Sequence, residues 1–234
     1  MEDIKFFETI TKLGYKPKII YDIGSSIGCW SETISNITEN CSFYMFEPLL
    51  DFVDHYKNSD LNKEIIKNNN PLIIKNNNSF YLFNLALGEK RGNMTMKVFP
   101  DGYSSTSLDS YIGGEEIKNI TTSVYDLDFV IEKDNLPQPQ IIKIDTQGSE
   151  LKILKGATKT LKNVDFLILE CWLSRGYGSE TPLLKEMMNW LSDFDFHLFD
   201  ILGEYRGYSD TLATIDCVFM NFNCKILPEW YINK

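Results

Sequence analysis

A short apolar run that ends on an acid and leads at once into a helix constrains this chain more than any other feature. The segment IIKIDTQGSELKIL, residues 141–154, places Asp145 directly after the run and a Gly-Ser pair before a helical pattern. In an open α/β sheet such a junction lies at the carboxyl end of a strand, where ligands bind. Two more predicted strands have an acidic residue at or near their carboxyl ends, in the segments IIYDIGSSIGCW (19–30) and FYMFEP (43–48). Together they predict a sheet with a ligand site along one edge.

The order of the predicted elements indicates an α/β fold. Core strands are predicted at 18–23, 42–47, 79–87, 140–145, 165–172, 194–202 and 212–222, with an edge strand at 94–99. Helices are predicted at 2–13, after the first turn to about 37, and at 49–57, 149–161 and 182–191; the stretches 66–80 and 100–120 are predicted loops. Alternating strands and helices give a mostly parallel sheet with helices on both faces. The last two strands leave no room for a helix between them, so they form an antiparallel hairpin.

These elements predict a seven-stranded sheet in one domain over residues 1–234. An N-terminal helix occupies 1–17, the core sheet and its helices occupy 18–222, and 223–234 form a tail. No linker interrupts the pattern, and an apolar content of 43% is sufficient for one buried core.

Composition excludes several classes of function. A net charge of −10 argues against a nucleic-acid partner, because phosphate binding needs clustered Lys and Arg. The five cysteines form no C-x-x-C pair, so neither a disulfide framework nor a metal site is predicted. The first residues lack the pattern of a secretory signal, and no stretch approaches the roughly 18 apolar residues of a membrane span. We therefore expect a cytoplasmic protein.

The turn after the first strand has the pattern D-x-G-x-x-x-G. Gly24 and Gly28 allow a tight turn that brings backbone N–H groups near a ligand, and Asp22 is suitably placed to anchor the loop. Glu47 ends the next strand, 23 residues after Gly24, and an acid there suits the two hydroxyls of a ribose. The spacing is not G-x-G-x-x-G, which counts against a pyrophosphate cradle. The alternative is an ordinary tight turn and a surface glutamate.

Taken in order, five segments resemble the FkbM-type S-adenosylmethionine-dependent methyltransferases. They are YDIGSSIG (21–28), FEP (46–48), NLALGEKRG (84–92), YDLD (125–128) and KIDTQGSELKILKGA (143–157). The resemblance runs from about residue 19 to 222, and the last segment is its most specific part. The family usually has Asn where Ser26 stands and often Glu where Gln147 stands. Gln147 cannot act as a base, so no acid is assigned there.

The resemblance implies the class I methyltransferase fold and S-adenosylmethionine as cofactor. The first turn would approach the methionine part, Glu47 would hold the ribose, and residues 84–86 would lie near the adenine. The implied cofactor-binding residues are Asp22, Gly24, Ser25, Ser26, Gly28, Glu47, Asn84, Leu85, Ala86 and Asp145.

The chemistry then requires positioning of the acceptor and, for a hydroxyl, a proton acceptor. Asp145 is the first catalytic candidate, because the resemblance puts it at the reactive centre. Glu170 ends the next strand in the same way and is the second, with a lysine ion pair as the alternative. Glu150 opens a helix, where the dipole alone favours an acid. His55 and His197 are predicted to lie on a helix surface and within a strand.

Two matching triplets, 175–177 and 206–208, follow the fifth and sixth predicted strands and are predicted to rim one acceptor site. The predicted rim residues are Trp172, Arg175, Tyr177, Tyr205, Arg206 and Tyr208. The alternative is two glycine turns with solvent-facing Arg and Tyr.

The predicted function is methylation of a hydroxyl oxygen on a glycan or a secondary metabolite. One alternative is an NAD(P)-dependent oxidoreductase on a Rossmann sheet, which the G-x-x-x-G spacing and the hairpin ending disfavour. The other is a non-catalytic partner protein that keeps the methyltransferase fold.

Overall fold

The computed structural model describes residues 2–99, 104–108 and 118–228. The remainder of the predicted loop at 100–120 and the end of the predicted tail lie outside the described residues. Within these ranges the elements are α1 (Glu2–Lys12), β1 (Ile19–Ile23), α2 (Cys29–Ser35), β2 (Ser42–Phe46), α3 (Asp54–Lys57), α4 (Asp60–Lys67), β3 (Leu72–Ile74), β4 (Asn78–Phe83), β5 (Ala86–Leu87), β6 (Gly92–Val98), β7 (Lys118–Tyr125), α5 (Leu127–Asp134), β8 (Ile141–Ile144), α6 (Glu150–Lys155), β9 (Phe166–Trp172), α7 (Leu184–Ser192), β10 (Phe196–Arg206) and β11 (Leu212–Asn221).

The main sheet has the strand order β10-β11-β9-β8-β1-β2-β4-β3. The strands from β9 to β4 are parallel, whereas β11 pairs antiparallel with both β9 and β10. This confirms the predicted α/β fold with a mostly parallel sheet and a terminal antiparallel hairpin. The predicted number of strands was one too low, because the apolar triplet of β3 pairs antiparallel with β4 inside the expected loop. A second sheet, β5-β7-β6, lies beside the main one.

Helices cover both faces of the main sheet. Buried side chains of α1, α2 and α4 pack in one core layer, and those of α5, α6 and α7 pack in the other. Alternate residues of a strand point to opposite faces, so Ile141 belongs to the first layer and Ile142 to the second. By the same alternation Lys143 faces the α1 side. None of the helices in the described residues is long and apolar enough to span a membrane.

Several helix boundaries differ from the prediction for local reasons. The helix predicted at 49–57 is confined to α3, and α4 follows it because the Ser59 side chain accepts a hydrogen bond from the Asn62 N–H as an N-cap. Asp126 caps α5 in the same way. The sequence analysis did not predict this helix from the spacing of its apolar residues. The predicted helix 149–161 ends at Lys155 and is followed by a short 3₁₀ turn, Thr160–Asn163.

The structure also differs from two of the strand predictions. The predicted strand 79–87 divides into β4 and β5, which belong to different sheets. The first part of β7 lies where a loop was expected, since Met96 of β6 pairs with Ile120 across the small sheet.

The register of the main sheet brings polar residues into rows at its carboxyl edge. Asp22 pairs with Lys143, and Lys143 pairs with Ile168. Two residues further toward the carboxyl end of β9, Glu170 pairs with Asp216. Asp145 follows the last paired residue of β8 and is therefore level with Glu170.

Candidate active site

The turns after β1 and β8 are packed directly against each other. Gly24 has a φ of +80°, and a Cβ at this position would lie 2.0 Å from the carbonyl oxygen of Asp145. Its N–H donates to the carbonyl of Phe46 at 2.9 Å, which ties the turn to β2. Gly24 is therefore required because two backbone segments touch at this position. This steric requirement is stricter than the one predicted from the sequence, which was close approach of the backbone to a ligand.

A cavity of about 150 Å³ opens between these turns. Residues that line it include Gly24, Ser26, Glu47, Asp145, Thr146 and Gln147. A narrower apolar hollow shares the Gly24 and Thr146 walls and is lined by Leu85 and Ala86. The structure thus brings most of the predicted cofactor residues to one place.

Four predicted cofactor residues line neither space: Asp22, Ser25, Gly28 and Asn84. A Cβ on Gly28 would lie 2.8 Å from both Leu61 and Met45, so this glycine faces α4 and the core. The Asn84 side chain donates to Asp51 at 2.6 Å and is exposed. Neither Gly28 nor Asn84 lines the cavity or the apolar hollow.

Glu47 is buried, with 4% of its surface exposed, and it closes the first turn. Its two carboxylate oxygens accept hydrogen bonds from the Ser26 and Leu49 N–H groups, both at 2.9 Å. Burial raises the pKa of Glu47 to about 7, although the two backbone donors act in the opposite direction. A carboxylate has about four lone-pair sites, so Glu47 keeps free acceptor capacity toward the cavity.

Two hydroxyls in the first turn have no hydrogen-bond partner within the described part of the chain. The Oγ atoms of Ser25 and Ser26 are buried and accept or donate no hydrogen bond among the described residues. Buried polar atoms without a partner are costly, and they require an explanation such as a ligand. Of the two, Ser26 lines the cavity beside Glu47, so its hydroxyl is available to a polar group of a ligand, and the apolar hollow is available to an apolar group.

Ser26 occupies a strained position. Its φ is +51°, in the left-handed region where Asn is much better tolerated than Ser. The Asn62 side chain compensates by donating to the Ser26 carbonyl at 2.8 Å and to the Tyr56 carbonyl at 2.9 Å. Asn62 is fully buried and was missed by the sequence analysis, because its partner lies 36 residues away.

Asp22 interacts with α2 and with Lys143, and not with the turn after β1 as predicted. It is fully buried, and its Oδ2 accepts from the Ser31 hydroxyl of α2 at 2.7 Å. Its Oδ1 lies 4.0 Å from Lys143 Nζ. Burial raises the pKa of the Asp22 carboxyl, and the Lys143 charge opposes this shift.

Asp145 is fixed by a donor on each carboxylate oxygen. Lys143 Nζ donates to Oδ2 at 3.1 Å, and Gln147 Nε2 donates to Oδ1 at 3.0 Å. The Tyr177 hydroxyl donates to Gln147 Oε1 at 2.6 Å, which sets the orientation of the amide. The Asp145 side chain remains 41% exposed. The roles of Lys143 and Gln147 were missed, although the i, i+2 spacing places Lys143 and Asp145 on one face.

Glu150 has a structural role in the turn. Its Oε1 accepts from the Thr146 N–H at 3.0 Å and the Gly148 N–H at 3.1 Å. The bracing of this turn is therefore the task of Glu150, and Asp145 is left free to face the cavity.

Glu170 is half-buried, and its Oε2 has no hydrogen-bond partner among the described residues. Its pKa is raised to about 9 by burial first and then by the neighbouring carboxylates, with Lys143 acting in the opposite direction. Within the described part of the chain no lysine forms an ion pair with Glu170, so the alternative of a lysine partner is not observed.

The predicted acceptor rim is only partly assembled. Trp172 and Tyr177 pack edge to face at 5.0 Å between centroids, and Tyr177 reaches Gln147. Arg175 is engaged by Glu186 and the Thr181 carbonyl. The remaining three residues lie on the β10–β11 hairpin, where Arg206 pairs with Glu204 and the two tyrosines are exposed. These tyrosines are Tyr205, 65% exposed, and Tyr208, 91% exposed.

Comparison with known proteins finds a matching family model and similar proteins. A family model described as the methyltransferase FkbM domain matches residues 22–198. Hexuronic acid methyltransferase AglP of Haloferax volcanii is 28% identical over 172 residues, which are 72% of this chain and 62% of that protein. The chain thus spans about 62% of the length of this curated relative.

Among solved structures, magnesium protoporphyrin IX methyltransferase from Synechocystis PCC 6803 with bound SAH has a TM-score of 0.48 at 10% identity, over 94% of this chain and 84% of that one. Precorrin-6y C5,15-methyltransferase from Geobacter metallireducens has a TM-score of 0.45 at 14% identity, over 92% and 85% of the two chains.

Proposed function

The chain belongs to the FkbM methyltransferase family, and from this membership we propose that it methylates a hydroxyl oxygen of a glycan or a secondary metabolite. The observation that carries the proposal is Asp145, a partly exposed carboxylate held by two donors in the wall of the cavity between the β1 and β8 turns. A hydroxyl acceptor needs a proton acceptor at that point, and the family assignment supplies the methyl donor.

S-adenosylmethionine is the cofactor of this family, and the residues present fit it. When bound, it supplies a methyl group already activated on a sulfonium. Glu47 would hold the ribose hydroxyls, and Ser25 and Ser26 would satisfy polar groups of the amino-acid part. Leu85 and Ala86 would contact the adenine in the apolar hollow.

Asp145 is assigned to the acceptor hydroxyl. Lys143 and Gln147 each use one lone pair of its oxygens, so each oxygen retains another for the acceptor. Asp145 takes the hydroxyl proton as the acceptor oxygen gains the methyl. A positioned base of this kind accelerates a reaction by roughly 10²–10⁴-fold. Glu170 is the weaker candidate, because a pKa of about 9 leaves it protonated at neutral pH.

A sugar acceptor is supported by the relative AglP, whose name states that it acts on a hexuronic acid. The carboxyl group of such a sugar is a second possible methylation site, and the product distinguishes the two. Methylation of a hydroxyl gives an ether that is stable to alkali, whereas methylation of a carboxylate gives an ester that releases methanol.

The test combines binding and transfer. Calorimetry with S-adenosylmethionine and with NAD should give tighter binding of S-adenosylmethionine, and tighter binding of NAD would restore the oxidoreductase alternative. Label from methyl-tritiated cofactor should enter a panel of hydroxyl-bearing sugars and metabolites in an alkali-stable form. Cofactor binding without any transfer over the whole panel would favour the non-catalytic alternative, and alkali-labile label would overturn the assignment to a hydroxyl.

A further inference from the structure

A second cavity lies on the other side of Asp145, on the α1 face of the sheet. Its volume is about 190 Å³, and its polar walls are Asp3, Trp30, Lys143, Asp145, Glu170 and Asp216. Asp145 is also a wall of the cavity between the β1 and β8 turns. One side chain therefore separates the proposed cofactor cavity from a second space of similar size.

The fold explains why these residues meet. Lys143, Glu170 and Asp216 lie on β8, β9 and β11, and the register brings the last two opposite each other. Residues from α1 and α2 cover this end of the sheet, where Trp30 Nε1 donates to Asp3 Oδ1 at 2.9 Å. The cavity is thus enclosed by the carboxyl edge of the sheet below and by two helices above.

The charges at this cavity are unbalanced. Its walls have four carboxyl groups and one ammonium group, that of Lys143. Lys143 Nζ is already engaged by Asp145 at 3.1 Å and by the fully buried Asp22 at 4.0 Å. Among the described residues, neither Glu170 nor Asp216 forms an ion pair of its own with a lysine or an arginine.

Two further observations agree with this imbalance. The Oε2 atom of Glu170 is buried and has no hydrogen-bond partner among the described residues. Burial first and the neighbouring carboxylates next raise the pKa of Glu170 to about 9 and that of Asp216 to about 6. A cationic ligand would relieve both effects, since it pairs with the charged form of each acid.

We propose that this cavity holds the methyl acceptor and that the acceptor carries a protonated amine near the hydroxyl that is methylated. The inference rests on the proposed function, because it takes Asp145 as the shared wall between cofactor and acceptor. An amino sugar or a similar amino alcohol would pair its ammonium with Glu170 and Asp216. Trp30 is also a wall of the cavity and adds aromatic surface for the carbon skeleton, whereas a uronate would add a carboxylate to an acidic cavity.

The first experiment compares acceptor analogues of equal size. The probes are the methyl glycosides of 2-amino-2-deoxyglucose, its N-acetyl derivative, glucose and glucuronic acid, with binding measured by NMR titration with and without S-adenosylhomocysteine. The amine probe should bind at least tenfold more tightly than the glucuronide, with the two neutral probes between them. Equal or tighter binding of the glucuronide would overturn the inference, as would displacement of the amine probe by Mg²⁺.

The second experiment assigns the preference to the two acids. The double variant Glu170→Gln with Asp216→Asn keeps shape and removes both groups that could ionise to pair with an ammonium, so the preference for the amine should fall at least tenfold. A matched control, Asp200→Asn with Glu204→Gln, makes the same charge change on exposed residues of the hairpin and should retain the preference. An unchanged preference in the first variant would refute the assignment.

Thermal denaturation and cofactor calorimetry on each variant separate this inference from the proposed function. Loss of S-adenosylmethionine binding in the wild type would remove the methyltransferase proposal. The preference among probes in the titration without S-adenosylhomocysteine does not depend on cofactor binding and is judged by itself.

Discussion

Replacement of Asp145 by asparagine tests the proposed mechanism at its central residue. In the Asp145→Asn variant the side-chain carbonyl can still accept from Lys143, and the new amide then faces Gln147. A flip of the Gln147 amide restores a hydrogen bond between the two, and the Tyr177 hydroxyl can become the acceptor. The network therefore survives the substitution, and the change removes charge and basicity only.

The magnitudes follow from this geometry. Turnover should fall roughly 10²-fold or more, the lower range for loss of a general base. Cofactor affinity should change by less than about tenfold, or 1.4 kcal/mol. The free energy of unfolding should fall by about 1–2 kcal/mol, because Asp22 still balances Lys143 and the Asp145 side chain is 41% exposed.

Single-turnover methyl transfer at saturating cofactor measures the chemical step directly. Urea denaturation gives the change in stability, and calorimetry gives the change in cofactor affinity. An Asn variant with nearly full turnover would refute the base assignment and transfer it to Glu170. Glu170→Gln serves as the paired measurement, and we expect its turnover with a saturating acceptor to change much less.

Four further outcomes are expected. Glu47→Ala should weaken S-adenosylmethionine binding by about 1.5–3 kcal/mol in calorimetry, the range for hydrogen bonds to a charged group. Gly24→Val should fail to reach the native state in circular dichroism and denaturation experiments, because its Cβ would lie 2.0 Å from the Asp145 carbonyl and its φ is +80°; a folded variant that lacks only cofactor binding would contradict this. Tyr177→Phe should lower turnover without changing cofactor affinity, since the ring is kept and the donor that orients the amide is lost; equal losses in both would indicate a packing role. Glu170 has a raised pKa of about 9, so the folded state holds its proton longer than the unfolded state and stability falls as the pH rises from about 4 toward 9; urea denaturation of Glu170→Gln should show a flatter dependence on pH over that range.

The sheet and the position of Asp145 could be predicted because both depend on local pattern. Apolar runs that end on acids mark the carboxyl ends of β1, β2 and β8, and such ends share one edge in a parallel sheet. The hairpin could be predicted from the short connection between β10 and β11. The same reasoning missed β3, since a three-residue strand between Asn runs pairs only because β4 has an open edge.

The details of the site depended on contacts that no local pattern contains. Lys143 acquires its role from Asp22 across a strand pair, and Asn62 from a loop 36 residues earlier. Gly28 has the spacing of a ligand-binding glycine, yet its positive φ serves packing against α4. The triplet at 206–208 resembles the one at 175–177, but β10 continues to Arg206 and puts the second triplet on an exposed hairpin.

The position of Asp145 between two cavities has a consequence for how the proposed activity could diversify. The walls of the proposed cofactor cavity include the turns after β1, β2 and β8. The proposed acceptor cavity shares Asp145 and the end of β8 with it, and takes its other walls from α1, α2, β9 and β11. Substitutions in these other walls alter the size and charge offered to an acceptor and leave the cofactor contacts intact. Related proteins with this arrangement could therefore accept different substrates after a few substitutions in these helices and strands. The residues that contact the methyl donor would not have to change.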